Sequence, residues 1–417
     1  MNRSTMDPHR PLEGYRVVDM SSVVMGPLAT EILADLGAQV VAVERPGGDP
    51  NRAMGAGSHP DLSGQALNLM RGKRSIVVDI GHPDGREVLE RLVTASDVFI
   101  TNLRPAARRR ARVRDEDLRA LRPELVYCAA TGFATDDPRA DDPAYDDIIQ
   151  SACGMVDLHR RAGLGNTFSP TVLADKVCGM AIAHAVTSAL LGRERSGRGS
   201  TLSVAMDEVI AGFLLVEHGA GAIAEPPLSR AGNGRMLDAA RRPLPTRDGL
   251  VGVLVYERRQ FENLARAIGR HELIDDPRFV TRAGRIEHLA EIYSVCGELA
   301  SGLTTEEMLA LCRTADVPCH HVVTLDELVA TLPQHHHPHV GQYRRTPSLA
   351  AGRPAEASDG PPAPLVGEHT IEVLSELGFS STETKALLAC RAAGAHDERD
   401  SVTSQWPEVT ASRAERV

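Results

Sequence analysis

Asp175 stands out among the residues that could do chemistry, because it lies at the entry to a long apolar segment. Pro170 disfavours helix before it, so a helix is predicted to begin close to Asp175 and to run over about residues 174–195, with Met180 and His184 on its buried face. A carboxylate in a first helical turn lies at the positive end of the helix dipole, which favours the ionised form. Such a carboxylate, partly withdrawn from water, can act as a nucleophile. The ordinary role of an aspartate at this position is to cap the helix, and the residue types alone favour the cap.

Other polar groups could bind ligands. Arg45 follows a predicted strand, and its guanidinium suits both a phosphate and the face of an adenine ring, although an exposed surface arginine is equally expected there. The arginines between 108 and 114 are predicted to form a solvated helix face. The histidines between 335 and 339 flank Pro338, which favours a solvated interdomain loop, because consecutive histidines are poor chelators of one ion. We therefore predict no metal site.

Residues 11–52 have the pattern of elements that could position such groups. Two apolar runs, at 15–20 and 40–43, flank a stretch in which leucine and isoleucine recur at helical spacing. Strand, helix and strand in this order predict a right-handed βαβ unit and a parallel sheet. A ligand is then expected beyond the carboxyl ends of the strands, near Val23 and Arg45. The first turn lacks the Gly-x-Gly-x-x-Gly fingerprint, so a nicotinamide or flavin dinucleotide is not supported.

The rest of the chain indicates an α/β protein with two lobes. Short apolar strands alternate with helices over residues 11–130, which predicts a doubly wound, Rossmann-like domain. From Pro226 the character changes to that of a smaller lobe, which is predicted to be of the α+β class. Residues 333–364 are rich in proline, glycine and histidine and read as a connection. A helix at 370–377 is the last one predicted, and the polar tail from about 393 is expected to be disordered.

Composition narrows the class of protein. The chain has 417 residues, a net charge of -10 and a pI of about 5.9, so no overall charge attracts nucleic acid or an anionic membrane. No apolar run approaches the roughly 20 residues of a membrane helix, and the N-terminus has no apolar signal region. The seven cysteines are scattered, which is typical of reduced thiols in a cytoplasmic protein.

Five ordered blocks give the sequence a specific resemblance. They lie at 11–52, 73–79, 97–105, 195–200 and 364–378. In their residues and their order, these blocks resemble the sequences of the family III CoA-transferases, the CaiB/BaiF group. The agreement covers about residues 11 to 390. The chain is therefore identified by resemblance as a member of that family.

The resemblance implies a reaction and a set of site residues. CoA would pass from an acyl-CoA thioester to a free carboxylic acid, through an anhydride and then a CoA thioester of an aspartate. Asp175 matches the catalytic aspartate of the family. CoA would be a substrate, with no tightly bound cofactor. The positions that match CoA contacts in the family are Val23, Arg45, Val78, Asn102, Leu103 and Arg110; at Val23 and Val78 the match is to backbone or packing contacts.

The resemblance also implies an architecture. Members look like interlocked homodimers in which each subunit is an open ring, with active sites between the domains at the dimer interface. The large domain would consist of residues 1–220 together with residues 326–392, where the chain returns to it. The small domain would be residues 226–325, and residues 393–417 would form the disordered tail.

Two departures from the family pattern bear on the substrate. Formyl-CoA transferases carry a glutamine where this chain has Val24, followed by Met25, which argues against formate or oxalate and favours a branched, aromatic or mid-chain acyl group. The glycine run that covers their active site is absent around Gly232.

Two other functions stay open at this stage. A 2-methylacyl-CoA racemase of the same fold would need a histidine base where Tyr145 stands, and neutral tyrosine is a poor base at its ordinary pKa. An inactive CoA-binding homologue would fit the two departures, although the presence of Asp175, Arg45 and Asn102 argues against it.

Overall fold

The computed structural model describes residues 10–255, 257–350 and 360–396 of the chain. The predictions made for the first nine residues and for 397–417 lie outside these ranges. The strands in chain order are β1 (Arg16–Met20), β2 (Gln39–Glu44), β3 (Lys73–Val78), β4 (Val98–Thr101), β5 (Val126–Thr131), β6 (Ser200–Ala205), β7 (Leu244–Pro245), β8 (Leu250–Val253), β9 (Cys319–His321), β10 (Gln334–His337), β11 (Gly341–Arg344) and β12 (Ala393–Gly394).

The helices follow the same numbering. They are α1 (Met25–Asp35), α2 (Gly64–Leu69), α3 (Pro83–Thr94), α4 (Pro105–Ala111), α5 (Asp115–Arg119), α6 (Asp146–Ala152), α7 (Met155–Arg161), α8 (Leu173–Ser196), α9 (Met206–His218), α10 (Gly234–Leu237), α11 (Arg258–Ala267), α12 (Pro277–Val280), α13 (Arg282–Glu287), α14 (Leu289–Gly302), α15 (Thr305–Thr314), α16 (Leu325–Thr331), α17 (Thr370–Glu376) and α18 (Ser381–Ala389). Short 3₁₀ turns lie at Pro50–Ala53, Ala220–Ile223 and His271–Leu273. Within the described ranges, none of the helices combines the length and apolar character that crossing a bilayer requires.

The chain divides into two compact units. The larger contains the described parts of residues 1–153, 169–212 and 333–417, and the smaller contains 154–168 and 213–332. The domain limits inferred from the sequence and the resemblance stay predictions.

The larger unit is built on a seven-stranded sheet in the order β12-β3-β2-β1-β4-β5-β6. Strands β1 to β6 pair in parallel, and β12 pairs antiparallel to β3 at one edge. The chain crosses from β1 through α1 to β2 and later returns to β4 on the other side of β1. This reversal at β1 is the doubly wound order that the sequence predicts, and ligands bind where such an order reverses.

Helices α1 and α8 pack closely against each other in the larger unit. Gly179 makes this approach possible, because a Cβ atom there would lie 2.9 Å from the carbonyl oxygen of Met25. Helix α8 has 24 residues and leads into the N-terminal end of β6. Its own N-terminus therefore lies toward the carboxyl edge of the sheet, which is also where α1 begins.

The smaller unit has its own sheet and its own core. Strand β8 pairs antiparallel with β7 and with β9. Apolar side chains of these strands pack against helices α11 to α15, with Phe261, Phe279 and Met308 among the fully enclosed residues. The unit is thus an α+β structure, as expected for the second lobe.

The C-terminal third departs from the predictions at three places. Residues 333–364 are not only a connection, because β10 and β11 form an antiparallel hairpin within them. The histidines therefore do not all lie in a solvated loop: His336 and His339 are exposed, but His337 is fully buried, and its Nε2 atom lies 2.8 Å from the carbonyl oxygen of Ala363. Helix α18 follows the helix that was predicted to be the last. Residues 393 and 394 form β12 instead of starting the disordered tail.

Two features of the α8–β6 segment also differ from the predictions. Strand β6 at the sheet edge was not predicted. On α8, Met180 and His184 were expected to be buried, but both are exposed, and the buried face carries Ala174, Cys178, Ile182 and Val186 instead. Apolar residues surround much of this helix, so their spacing does not identify the face that packs.

Candidate active site

Asp175 lies in the first turn of α8, at the carboxyl edge of the parallel sheet. Gly179 is one turn further along the same helix face and touches the start of α1 at Met25. The Asp175 side chain therefore belongs to the region where α1 begins, next to the loop that follows β1. Sequence reasoning expects a ligand at this edge.

The backbone of Asp175 is held by Asp146, the first residue of α6. The Asp175 N–H donates to Asp146 Oδ2 at 2.9 Å, which satisfies one of the free amides at the start of α8. Asp146 is buried, and its other carboxylate oxygen accepts a hydrogen bond from Gln150 Nε2 at 2.5 Å. Gln150 in turn accepts the N–H of Ser169 at 2.8 Å, so α6 fixes the segment that leads into α8.

The Asp175 carboxylate itself is not a helix cap. Val172 precedes the helix without a side-chain cap, and the capping acceptor comes from Asp146. Within the described residues the Asp175 side chain makes no hydrogen bond and no ion pair. The capping role that the residue types favoured is therefore wrong in this structure.

Burial and, as a smaller cause, the nearby carboxylate of Asp146 together raise the pKa of Asp175 to about 7. The helix dipole was expected to favour the ionised form, and here it does not dominate. At neutral pH Asp175 is nevertheless ionised in a large fraction of the molecules. Within the described residues, its side chain has no hydrogen bond that would stabilise the charge. Such a carboxylate is well suited to attack an electrophilic carbonyl.

Val23 lies in the loop between β1 and α1 in a strained conformation. Its φ of 72° is in the left-handed region, which is unusual for a β-branched residue. Asp49 accepts the Val23 N–H at 3.2 Å, and Asn51 Nδ2 donates to the Val23 carbonyl at 3.4 Å. Burial raises the pKa of Asp49 to about 6. These contacts hold the loop after β1 against the loop after β2.

Asn102 ties the same loop to the segment after β4. Its Oδ1 atom accepts the Ser22 N–H at 3.1 Å, and its Nδ2 atom donates to the Ser22 carbonyl at 2.8 Å. Leu103 follows directly and is partly buried. The structure therefore brings Val23, Asn102 and Leu103 together at the carboxyl edge.

The other predicted ligand residues are more dispersed. Arg45 follows β2 at the same edge, is exposed, and places its Nε atom 3.4 Å from the carbonyl oxygen of Gly48. Val78 ends β3, but its side chain is buried in the core and its backbone pairs with Ala393. Arg110 is exposed on α4. Val78 can therefore offer a ligand little except its backbone edge.

One group of side chains in the described ranges has ligand atoms close enough for a metal ion. His82, Asp84 and Cys390 place such atoms within 4.8 Å of one another. The His82 Nδ1 atom already accepts the Asp84 N–H at 3.2 Å, as a cap of α3. Nothing in this arrangement links it to Asp175.

Sequence reasoning missed three residues that shape this site: Asp146, Asp49 and Asn51. Asp146 and Gln150 are four residues apart, which places them on one helix face, and this spacing was a usable signal. Asp49 and Asn51 stand after a glycine pair, where Asx turns are common. Their contacts to Val23 cross 26 and 28 residues, which no local pattern reveals.

The fold and site define a Rossmann-type α/β enzyme with a partly buried carboxylate, unpaired within the described residues, at its ligand-binding edge. Residues 12–370 match the model of CoA-transferase family III. The chain belongs to this family and is a CoA-transferase, a class of enzymes that uses CoA thioesters as substrates.

Individual relatives agree with this assignment over nearly their whole length. The chain is 31% identical over 391 residues to succinate–glutarate CoA-transferase of Agrobacterium fabrum, covering 88% of this chain and 96% of the relative. It is 29% identical to formyl-CoA:oxalate CoA-transferase of Streptomyces avermitilis, covering 91% and 98%. The crystal structure of a CaiB/BaiF family protein from Brucella suis superposes with a TM-score of 0.73 at 28% identity, covering 88% of this chain and 99% of that one.

Proposed function

We propose that this protein transfers CoA from an acyl-CoA to a free carboxylate through covalent intermediates on Asp175. The observation that supports this most is the state of Asp175 itself. Its carboxylate is partly buried and lies at the carboxyl edge of the sheet. Within the described residues it has no hydrogen-bond or ion-pair partner. A carboxylate kept only for structure would be expected to have hydrogen-bonding partners.

The first half of the reaction loads CoA onto the enzyme. The Asp175 carboxylate attacks the thioester carbonyl, the C–S bond breaks, and a mixed anhydride and CoA thiolate result. The thiolate then attacks the aspartyl carbonyl of the anhydride. That step releases the donor acid as its carboxylate and leaves an aspartyl-CoA thioester.

The second half repeats these steps with the acceptor. The acceptor carboxylate attacks the aspartyl thioester, giving a new anhydride and CoA thiolate. The thiolate attacks the acyl carbonyl of the acceptor, forming the new acyl-CoA and restoring the Asp175 carboxylate. Each step exchanges one activated acyl bond for another, so no external energy source is required.

The surroundings of Asp175 suit this chemistry. Burial that raises its pKa also limits access of water, which would hydrolyse the anhydride. Asp146 fixes the backbone of Asp175 without neutralising its side chain, since the hydrogen bond goes to the N–H group. The nucleophile is thus positioned but not stabilised as an ion.

We assign CoA recognition to the predicted residues at the sheet edge. Val23, Asn102 and Leu103 would contact CoA mainly through the loops they hold. Arg45 and Arg110 would meet its phosphates or its adenine, since guanidinium groups suit both. Val78 would contribute only packing or backbone.

The acyl group is proposed to be apolar. Val24 and Met25 are both buried at the start of α1, and Gly179, one turn after Asp175 on α8, packs against Met25. An apolar wall there disfavours a small polar acid. By their names two relatives act on succinate and glutarate or on formyl-CoA and oxalate, so these acids belong in any substrate panel beside branched, aromatic and mid-chain acids.

The test is a transfer assay in which CoA donors and acceptor acids from that panel are combined. Wild type, Asp175→Asn and Asp147→Asn are compared, because Asp147 is an exposed aspartate on the adjacent helix. Asp175→Asn is expected to lose about 10⁴-fold or more in kcat, and Asp147→Asn little. Substantial transfer by Asp175→Asn would rule out the covalent route. Turnover with formate or oxalate alone would contradict the apolar acyl group.

The same assay separates the alternatives. A racemase would wash deuterium into the α-position of a 2-methylacyl-CoA without an acceptor, although Tyr145 stands where its base would be needed and the relatives cited are transferases. An inactive homologue would bind CoA without turnover. The interlocked homodimer and the cytoplasmic location remain predictions, and light scattering of the purified protein tests the first.

A further inference from the structure

A pocket outside the region of Asp175 lies in the larger unit, between strands β5 and β6 and helices α4 and α5. Its volume is about 320 Å³. None of the residues assigned above to Asp175 or to CoA lines it. Its walls combine arginines with side-chain hydroxyl groups, so its chemistry differs from that of an apolar packing defect.

Arg108 is a buried, positively charged residue in the lining of this pocket. The residue is only 7% exposed and lines the cavity wall. Within the described residues, the ion pairs of the lining arginines join Arg109 to Asp141 and Arg114 to Glu116 and Asp117, and none includes Arg108. A buried charge without an opposite charge is costly, so proteins rarely keep one.

The tyrosine beside Arg108 does not provide the missing negative charge. The Arg108 guanidinium interacts with the hydroxyl of Tyr127. Burial raises the pKa of Tyr127 to about 12, and its hydroxyl donates to the carbonyl oxygen of Val113 at 2.9 Å. Tyr127 is therefore neutral at physiological pH and can offer Arg108 only a lone pair.

The remaining polar lining supplies hydrogen-bond donors for an anion. Thr135 and Ser203 place their hydroxyl oxygens 3.2 Å apart on the cavity wall. Two carboxylates also line it: Glu116 pairs with Arg114 at 2.7 Å, and Asp115, which forms no ion pair with Arg108, accepts the Thr201 hydroxyl at 3.0 Å. Counting Arg108, Arg109 and Arg114 against Asp115 and Glu116, the lining carries one net positive charge.

We propose that this cavity binds a phosphate-type oxyanion against Arg108. The planar guanidinium presents paired N–H groups that match two phosphate oxygens, and the hydroxyls of Thr135 and Ser203 can donate to the others. The anion would pair with the Arg108 guanidinium, which forms no ion pair within the described residues. The pocket shares no lining residue with those assigned above to Asp175 or to CoA.

The test measures thermal unfolding of the full chain in phosphate and in chloride at matched ionic strength. Wild type is compared with Arg108→Met, which keeps the length of the side chain without its charge, and with Arg112→Met. Arg112 is exposed, lies at the end of α4 and does not line the cavity. Because a ligand that binds only the native state stabilises it, phosphate should raise the melting temperature of wild type and Arg112→Met but not that of Arg108→Met.

Arg108→Met should also be at least as stable as wild type in chloride, because it removes an unpaired buried charge. Broadening of the ³¹P resonance of inorganic phosphate by wild type checks binding without any variant. No broadening together with equal melting temperatures in both salts, or the same phosphate response in Arg108→Met, would overturn the proposal.

Comparison of CoA with 3′-dephospho-CoA distinguishes two sources of the phosphate. If Arg108→Met weakens binding of CoA but not of 3′-dephospho-CoA, the cavity holds the 3′-phosphate of CoA. If only the response to inorganic phosphate is lost, the cavity holds a free oxyanion. Either result supports the site. Activity lost in Asp175→Asn with phosphate binding retained would show that the two proposals are independent.

Discussion

Two groups of charged residues lie near α1, and they differ in whether each charge has a partner of opposite sign. In the first, Lys73 is 1% exposed and its Nζ atom donates to Asp19 at 3.0 Å, to Thr30 at 2.7 Å and to the Pro27 carbonyl at 2.8 Å. All three ammonium donors are used. In the second, Asp175 has another carboxylate, Asp146, as its charged neighbour and no partner for its own side chain within the described residues.

The difference shows which buried charges belong to the scaffold and which to the chemistry. A fully paired buried charge holds strands and helices in one arrangement, although it contributes little net stability. A buried carboxylate beside a like charge lowers stability when it ionises, and such a group is retained where it reacts. The comparison therefore predicts opposite effects for neutralising a charge in the two places.

Lys73→Met should give the largest loss of stability. It leaves the Asp19 carboxylate buried without its cation, which is expected to lower the free energy of unfolding by about 3–5 kcal/mol. Denaturant titration measures this loss. Arg74→Met on the same strand is the matched control, because its ion pairs with Glu372 and Glu376 are partly exposed and worth at most about 1 kcal/mol. Equal losses in the two variants would remove the distinction drawn above.

Asp175→Asn should stabilise the protein at alkaline pH. The pKa of Asp175 is about 7 in the folded state and near 3.9 in the unfolded state, so the folded state binds the proton more tightly. Stability from this group is therefore lost as the pH rises from about 4 to about 7. The variant should gain about 2–4 kcal/mol at pH 8, and the gain should vanish near pH 4. A loss of stability at pH 8 would mean that the Asp175 carboxylate is structural.

Asp146→Asn should move the pH dependence of transfer. Activity of wild type is expected to rise as Asp175 ionises around pH 7. Removing the like charge lowers the pKa of Asp175, so the rise should occur at lower pH, while the asparagine oxygen can still accept the Asp175 N–H. Because burial is the larger cause, the pKa should stay above that of an ordinary aspartate. The pH profile of kcat/KM tests this, and an unchanged profile would exclude Asp146 as a perturbing charge.

Asn102→Ala should have the smallest effect. It removes two hydrogen bonds that hold Ser22, each worth roughly 1 kcal/mol, so CoA binding should weaken about tenfold. Titration calorimetry with CoA measures this directly. Unfolding stability should change less than in Lys73→Met, and unaltered CoA affinity would show that the loop after β1 does not contact the ligand.

The sequence predicts the parts of the fold that depend on local patterns. The strand–helix–strand unit at 11–52 is confirmed as β1, α1 and β2, and the helix expected from about 174 to 195 is α8. Apolar periodicity and helix-stop signals suffice for these elements. Residues 334–344 carry no apolar alternation, so the hairpin there depends on distant contacts such as that of His337 with Ala363.

The candidate site is predictable only in part for the same reason. Asp175 could be selected from its place before an apolar helix and from the family resemblance. Its protonation state could not, because burial and the approach of Asp146 arise from the packing of α6 against α8. Arg108 illustrates the same limit, since a run of arginines reads as a solvated face and only the fold shows that one of them is buried.

The central claim is that Asp175 carries the acyl and CoA groups covalently, and mass spectrometry of the trapped enzyme tests it most directly. The protein is incubated with an acyl-CoA, quenched with hydroxylamine and digested, in wild type, Asp175→Asn and Asp147→Asn. The account predicts a hydroxamate on Asp175 in wild type and Asp147→Asn, and none in Asp175→Asn. Transfer of CoA by wild type without any modification of Asp175, or a modification at another residue, would contradict it.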